Sequence, residues 1–129
     1  MPKKVVSKRL ATAVAVNDST PFASDWEKPS LSSPVVAVFL LGSTSGNITI
    51  SIVGKSTPPD DTWPVVSFVS LTSRTLSSGG RYYLQISPST HVNSSTGGGV
   101  MSNVRIEVTA ASGATTTIEG AYLEYEVDI

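Results

Sequence analysis

The sequence predicts an all-β chain: an antiparallel β-sandwich, jelly-roll-like, of about eight strands, with a basic N-terminal arm. Three observations lead there. Apolar residues recur with period two almost throughout, the spacing of half-buried strands. More than a quarter of the 129 residues are Ser or Thr, and 10 Gly and 8 Pro supply turn chemistry. Runs of Leu, Ala, Glu and Lys with helical period are missing. With 40% hydrophobic and 15% charged residues, the composition is that of a packed domain and not of a disordered tract.

Taken in order, "LATAVAV" (Leu10–Val16) alternates and stops at "NDSTP". From Asp18 to Pro34, three prolines with Phe22 and Trp26 predict an irregular connection pinned by aromatic anchors. "VVAVFLL" (Val35–Leu41) is a continuous apolar run, suited to a strand buried on both faces or at a sheet centre. "STSG" (Ser43–Gly46) is a turn, after which "NITISIVG" is expected to return antiparallel. "VVSFVSLTSRTL" (Val65–Leu76) holds one bent strand or two short ones, and "SSGG" turns into "RYYLQIS" (Arg81–Ser87). Pro88–Gly99 is the longest polar, glycine-rich loop. "VRIEVTAA" (Val104–Ala111), the turn "SGAT", and "TTIEGAYLEYEVDI" complete the sandwich, with Gly120 marking a bulge.

The length fits one domain, residues 10–129, behind an arm at residues 1–9. That arm carries Lys3, Lys4, Lys8 and Arg9 and no acid, a side-chain charge of +4. The rest of the chain nets −5, so the net charge of −1 conceals a basic segment ahead of an acidic body. A segment of that kind is expected to meet something the body does not, although a solvated, fraying terminus is the plainer reading. No secretory signal is read at the N-terminus, and no apolar run approaches the ~20 residues that span a bilayer.

Little in the chain supports catalysis. With no cysteine, disulfides and thiolate metal sites are excluded, and the single His91 leaves neither a two-histidine zinc site nor a spare triad base. "VGKST" (Val53–Thr57) imitates a phosphate loop, but its leading glycine is replaced by Thr49, and Pro58 and Pro59 forbid the helix that must follow. Asp60 and Asp61 stand beside Trp63 in "PPDDTW", yet adjacent carboxylates on extended chain diverge and cannot flank a substrate together. No D-x-D-x-D-G calcium loop accompanies them, so they read as turn formers. Trp63 and Tyr82 are candidates for a surface aromatic contact, against core packing as the plainer reading. The sequons at Asn17, Asn47 and Asn93 are of the kind a Ser/Thr-rich chain produces by chance. The expectation is no catalytic residue, no metal, no cofactor and no small-molecule substrate.

The order of the pieces carries a resemblance. "VVAVFLLGSTSGNITISIVGKS" leads into "DDTWPVVSFVSLTS", then "SSGGRYYLQIS", then "NVRIEVTAASGATTTIEGAYLEYEV". Over Val35–Val127 this resembles small β-sandwich virion structural proteins of tailed phages and related archaeal viruses. These run apolar strand, S-G-T turn, strand, D-G-x-x-W turn, G-x-Y strand, RYVRV strand and a last S-G-T turn. Here "DDTW" lacks the turn glycine, "NVRIEV" has Asn103 where the tyrosine stands, and Pro88–Gly99 reads as an insertion.

The resemblance implies a head decoration protein, minor capsid protein or tail component, acting by assembly without catalysis. It implies a homo-oligomer, a trimer being favoured, bound to other virion proteins such as a major capsid protein, with the virion as location after synthesis in the host cytoplasm. Lys3, Lys4, Lys8 and Arg9 are then the expected partner-binding arm, lying across a neighbour or adding a strand to it. Nucleic acid would be reached only through that arm, as in the variant reading of a jelly-roll coat protein, and no membrane is involved. The alternative from another class is a carbohydrate-binding or adhesin-like module using Trp63 and an exposed tyrosine.

Overall fold

Burial along residues 35–41 alternates strictly: Val35, Ala37, Phe39 and Leu41 are buried, while Val36, Val38 and Leu40 are half-buried. The run is therefore a sheet-centre strand with one face in the core. The computed structural model describes residues 2–29, 33–55, 69–87, 92–93, 99–100 and 103–128. Within them the strands are β1 (Lys3–Ala11), β2 (Val14–Asn17), β3 (Phe22–Ala23), β4 (Val35–Leu41), β5 (Ile48–Lys55), β6 (Val69–Leu76), β7 (Gly80–Ile86), β8 (Val92–Asn93), β9 (Gly99–Val100), β10 (Asn103–Ala110) and β11 (Thr115–Asp128).

Two antiparallel sheets hold nine of these. One runs β1-β11-β4-β7, with β2 also on β11; the other runs β3-β10-β5-β6, and β8 pairs β9 apart from both. Strands β1 and β2 follow one another along the same edge of β11, against Ala121–Asp128 and Thr115–Ile118 respectively. Counted as one interrupted strand, they give eight principal strands paired first with last, second with seventh, third with sixth and fourth with fifth. That nesting is a long hairpin rolled so that successive strands fall in opposite sheets except at its tip, where β5 and β6 pair within one sheet, as in a jelly-roll-like wrap.

The roll corrects one local expectation. Strand β5 does not return against β4 as a hairpin: β4 pairs β11 and β7, and β5 pairs β10 and β6. Both strands point their buried residues into one interior, Ile48, Ile50 and Ile52 meeting the core that contains Val35, Ala37 and Phe39. Ser43–Gly46 is thus a corner between sheets. Gly46 makes it possible, with φ +78 and a position where a Cβ would stand 2.8 Å from that of Ala114.

Residues 3–9, expected as an arm, run as most of edge strand β1, in register from Lys3↔Asp128 to Arg9↔Tyr122. The strand thus begins seven residues before the predicted Leu10. Its length follows from β11, whose 14 residues need partners along the whole edge, and whose Asp128, Glu126 and Glu124 lie opposite Lys3, Val5 and Ser7. The bulge expected at Gly120 is present: the β11–β4 register shifts between Ile118 and Gly120. The Pro88–Gly99 stretch falls largely outside the described residues, apart from Val92–Asn93 and Gly99, which belong to the short β8–β9 pair.

The core is one aliphatic cluster around Phe39, Ile50, Ile106, Ile118 and Leu123. At the β6–β7 connection, a Cβ on Gly79 would lie 2.1 Å from the carbonyl oxygen of Gly42, against backbone that cannot swing aside. Gly79→Ala should therefore destabilise by about 2 kcal/mol or more through overpacking. Phe39→Ala should cost about 3–5 kcal/mol. Urea unfolding measures both, and wild-type stability for Gly79→Ala would disprove the close approach.

Candidate functional site

Three surfaces could carry function: the two open sides of the sandwich and the outer face of the first sheet. Cross-strand partners share a face, so the register fixes which side chains meet.

On one side the sheets end in β6 and β7. Arg74, opposite buried Ile50, and Tyr82, opposite buried Phe39, both turn toward the interior side of their strands. The guanidinium carbon lies 5.1 Å from the Tyr82 ring centroid, and the Tyr82 hydroxyl donates to the Ser78 carbonyl at 2.6 Å. A charge aimed inward from an edge strand closes the core and discourages unwanted pairing there. Tyr82 is in consequence packed against the sandwich. Tyr83, the next residue, takes the outward position and is 53% exposed.

The opposite side ends in β1 and in the chain that follows β3. Here Glu27 pairs its backbone with Val104, and its carboxylate receives Lys8 Nζ at 2.8 and 2.9 Å. Hydrogen bonding to Glu27, reinforced by its charge, holds the Lys8 ammonium above the usual lysine range. Two more of the four cations singled out in the sequence also have partners within the chain. Lys3 reaches Ser33 Oγ at 3.5 Å and Glu126 at 3.9 Å, and Arg9 donates to the Tyr122 hydroxyl while stacking 5.1 Å from its ring. Lys4, opposite Val127, is exposed. Nearby, Trp26 lies between two cations, Lys55 and Arg105, each 4.5 Å from a ring centroid.

The outer faces of the two sheets contrast. On the second sheet, Thr49, Ser51, Ser73, Thr75 and Thr109 lie together, Thr49 and Thr75 joined through their hydroxyls at 3.2 Å. On the first, Val36, Val38 and Leu40 form a half-buried apolar strip along β4, flanked by Tyr83 and Arg81 of β7 and by Tyr122 and Glu124 of β11. Val5, on the same face of β1, is 67% exposed. An open depression of about 290 Å³ crosses this face, lined by Ser7, Val38, Leu40, Arg81, Tyr122 and Glu124. Charge patterns in the sequence draw attention to β1 but not to Glu27, Tyr83 or the β4 strip. Their placement depends on a register set by residues far away along the chain.

Trp63, Asp60, Asp61 and His91 lie outside the described residues. Among the described residues, no group of three or more metal-binding side chains is placed to hold an ion, and no helix is long and apolar enough to cross a membrane. Asn17 accepts hydrogen bonds through Oδ1 from the Ser19 backbone and hydroxyl at 3.0 and 2.9 Å, an Asx turn at the end of β2.

No protein-family model matches the chain, and no curated protein matches it. Among solved structures it is similar to a chain in the structure of infectious bursal disease virus, Gx strain, with a TM-score of 0.48 and 11% identity. The match covers 98% of this chain and 32% of that one, so this chain spans about a third of the viral chain's length.

The Lys8–Glu27 pair carries a pH signature. Its lysine is raised above the ordinary 10.5 by folding, so the stabilisation is complete below that value and fades as pH rises through the higher folded value. Thermal unfolding between pH 9 and 12 should show Glu27→Gln converging on wild type at the alkaline end. A constant gap across that range would mean that the ion pair contributes nothing.

Proposed function

We propose that this chain is a structural protein of a virion, capsid-associated or part of a tail, acting by binding and assembly without catalysis. A fold by itself assigns no activity. The observation that carries the reading is the contrast between the outer faces. The hydroxyl-rich face of the second sheet suits water. The first sheet presents an apolar strip of Val36, Val38, Leu40 and Tyr83, with Val5 exposed beyond Glu124 and Glu126 of β11, which suits a protein neighbour. The resemblance of the strand and turn order over Val35–Val127 points the same way, and the nested strand order is compatible with it.

On this reading, the first sheet's outer face meets other virion proteins such as a major capsid protein, or further copies of the chain in a closed oligomer. The protein would be made in the host cytoplasm and reside in the particle. The basic segment would contribute to assembly chiefly through the backbone edge of β1, since Lys8 and Arg9 are engaged within the chain. The carbohydrate-binding alternative loses Tyr82 as an exposed platform, because that ring packs against Arg74.

Purified particles from the producing culture, probed with antibody to the recombinant chain, should contain it in fixed proportion to the major coat protein. Tyr83→Glu and Val5→Lys, at exposed positions, should abolish incorporation while changing the unfolding free energy only within the small range typical of surface substitutions, about ±0.5 kcal/mol. Absence from particles, or glycan-array binding lost on Trp63→Ala, would overturn the proposal.

A further inference from the structure

Among the described residues, Ala13 is the one non-glycine with positive φ, at 54°. A Cβ disfavours this left-handed conformation, and no glycine, Asn or Asp eases it here. Its position matters. Thr12 and Ala13 join β1 to β2, two segments that pair with the same edge of β11. Strand β2 is anchored by buried Val16 and by the turn beyond it, where the Gly113 amide donates to Asp18 Oδ2 at 2.9 Å. Strand β1 is held more lightly: Val6 and Leu10 are half-buried, Ala11 is buried, and the other residues from Lys3 to Arg9 are exposed.

We propose that β1 exchanges between two copies of this chain, hinging at Thr12–Ala13, so that β1 of each copy completes the sheet of the other along its β11. Apart from the bond that Arg9 Nη1 donates to Thr12 Oγ1 in the hinge at 3.1 Å, what β1 binds lies on the body: the β11 edge, Glu27, the Ser33–Glu126 pair and Tyr122. Those contacts are the same whichever copy supplies the strand, so exchange sacrifices none of them and lets the strained hinge relax. A short hinge under strain is the condition that favours strand exchange. The competing way for two copies to meet, edge to edge through their β1 strands, is opposed by charge. An antiparallel pair centred on Val6 sets Lys3 against Arg9 and Lys4 against Lys8, so each of the four cations faces another. The second copy's β11 instead sets Asp128 against Lys3 and meets Lys4, Lys8 and Arg9 with Val127, Leu123 and Tyr122, so no cation faces another.

The test uses the absence of cysteine from the chain. Val5 and Glu126 are direct cross-strand partners on the outer face, within the reach of a disulfide. Val5→Cys and Glu126→Cys chains of distinguishable mass, refolded together and oxidised, should give a mixed covalent dimer. Val6→Cys chains that cross-link to one another, with no mixed product from the first two variants, would instead show edge pairing and overturn the proposal. So would an intrachain bond in the double variant with no mixed dimer from the single variants. Light scattering supplies a readout that needs no cysteine. Ala13→Gly, which accepts positive φ, should raise the dimer dissociation constant about thirtyfold or more, since two hinges lose their strain in the closed form. Ala13→Pro, whose φ is fixed near −65°, should favour the dimer. An unchanged monomer–dimer distribution for Ala13→Gly would equally overturn the exchange.

Discussion

The constraint on which the first sheet rests is the pairing of β11 along both of its edges. On one side it carries β2 and then β1, on the other β4, and through β4 it holds β7. A strand of 14 residues cannot pass straight through a twisted sheet and keep register with both neighbours. The shifts at Ile118/Gly120 against β4 and at Arg9/Ala11 against β1 fall at almost the same level, so one local accommodation serves both ladders. Ile118, Ala121 and Leu123 all reach the core from β11, which makes the strand a wall of the interior as well as a spine of the sheet.

A rolled sandwich leaves two open flanks, and this chain closes each with a polar contact instead of more hydrocarbon. Arg74 over Tyr82 covers one, and Lys8 with Glu27 covers the other. Long cationic side chains suit this work because their stems lie on apolar surface while their heads stay in water. Ion pairs so exposed add little stability by themselves. Their use lies in alignment, since each joins the edge of one sheet to the edge of the other and so helps to set how the two sheets lie together.

Strand content is legible in the sequence because its signals are local: β5, β10 and β11 can be read from alternation and β4 from its apolar run. Partnership is not local. Nothing within Ile48–Lys55 distinguishes a hairpin return onto β4 from a crossing to the opposite sheet, because the same alternate residues are buried in either case. The setting of the basic segment is hidden in the sequence for a related reason. Lys3, Lys4, Lys8 and Arg9 look solvated when counted together, but in a strand they divide between two faces, where Lys8 finds Glu27 and Arg9 finds Tyr122. Those partners are 19 and 113 residues away, beyond the range of any periodicity. The apolar run Val35–Leu41 did signal something that the strand pattern could not place: an outer face richer in hydrocarbon than a solvated sheet needs.

That 113-residue interval between Arg9 and Tyr122 also has a consequence in time. During synthesis β1 leaves the ribosome long before the strand it pairs with, and at ordinary elongation rates the gap is roughly 6–20 s. For that interval the nascent segment is an extended cationic tail without a template, while β4 and β5 are already emerging. The sheet that contains it can only be completed late, and its closing step joins opposite ends of the domain, the slowest kind of contact to form. The order of translation therefore leaves β1 as the segment most exposed to its surroundings before the fold is finished.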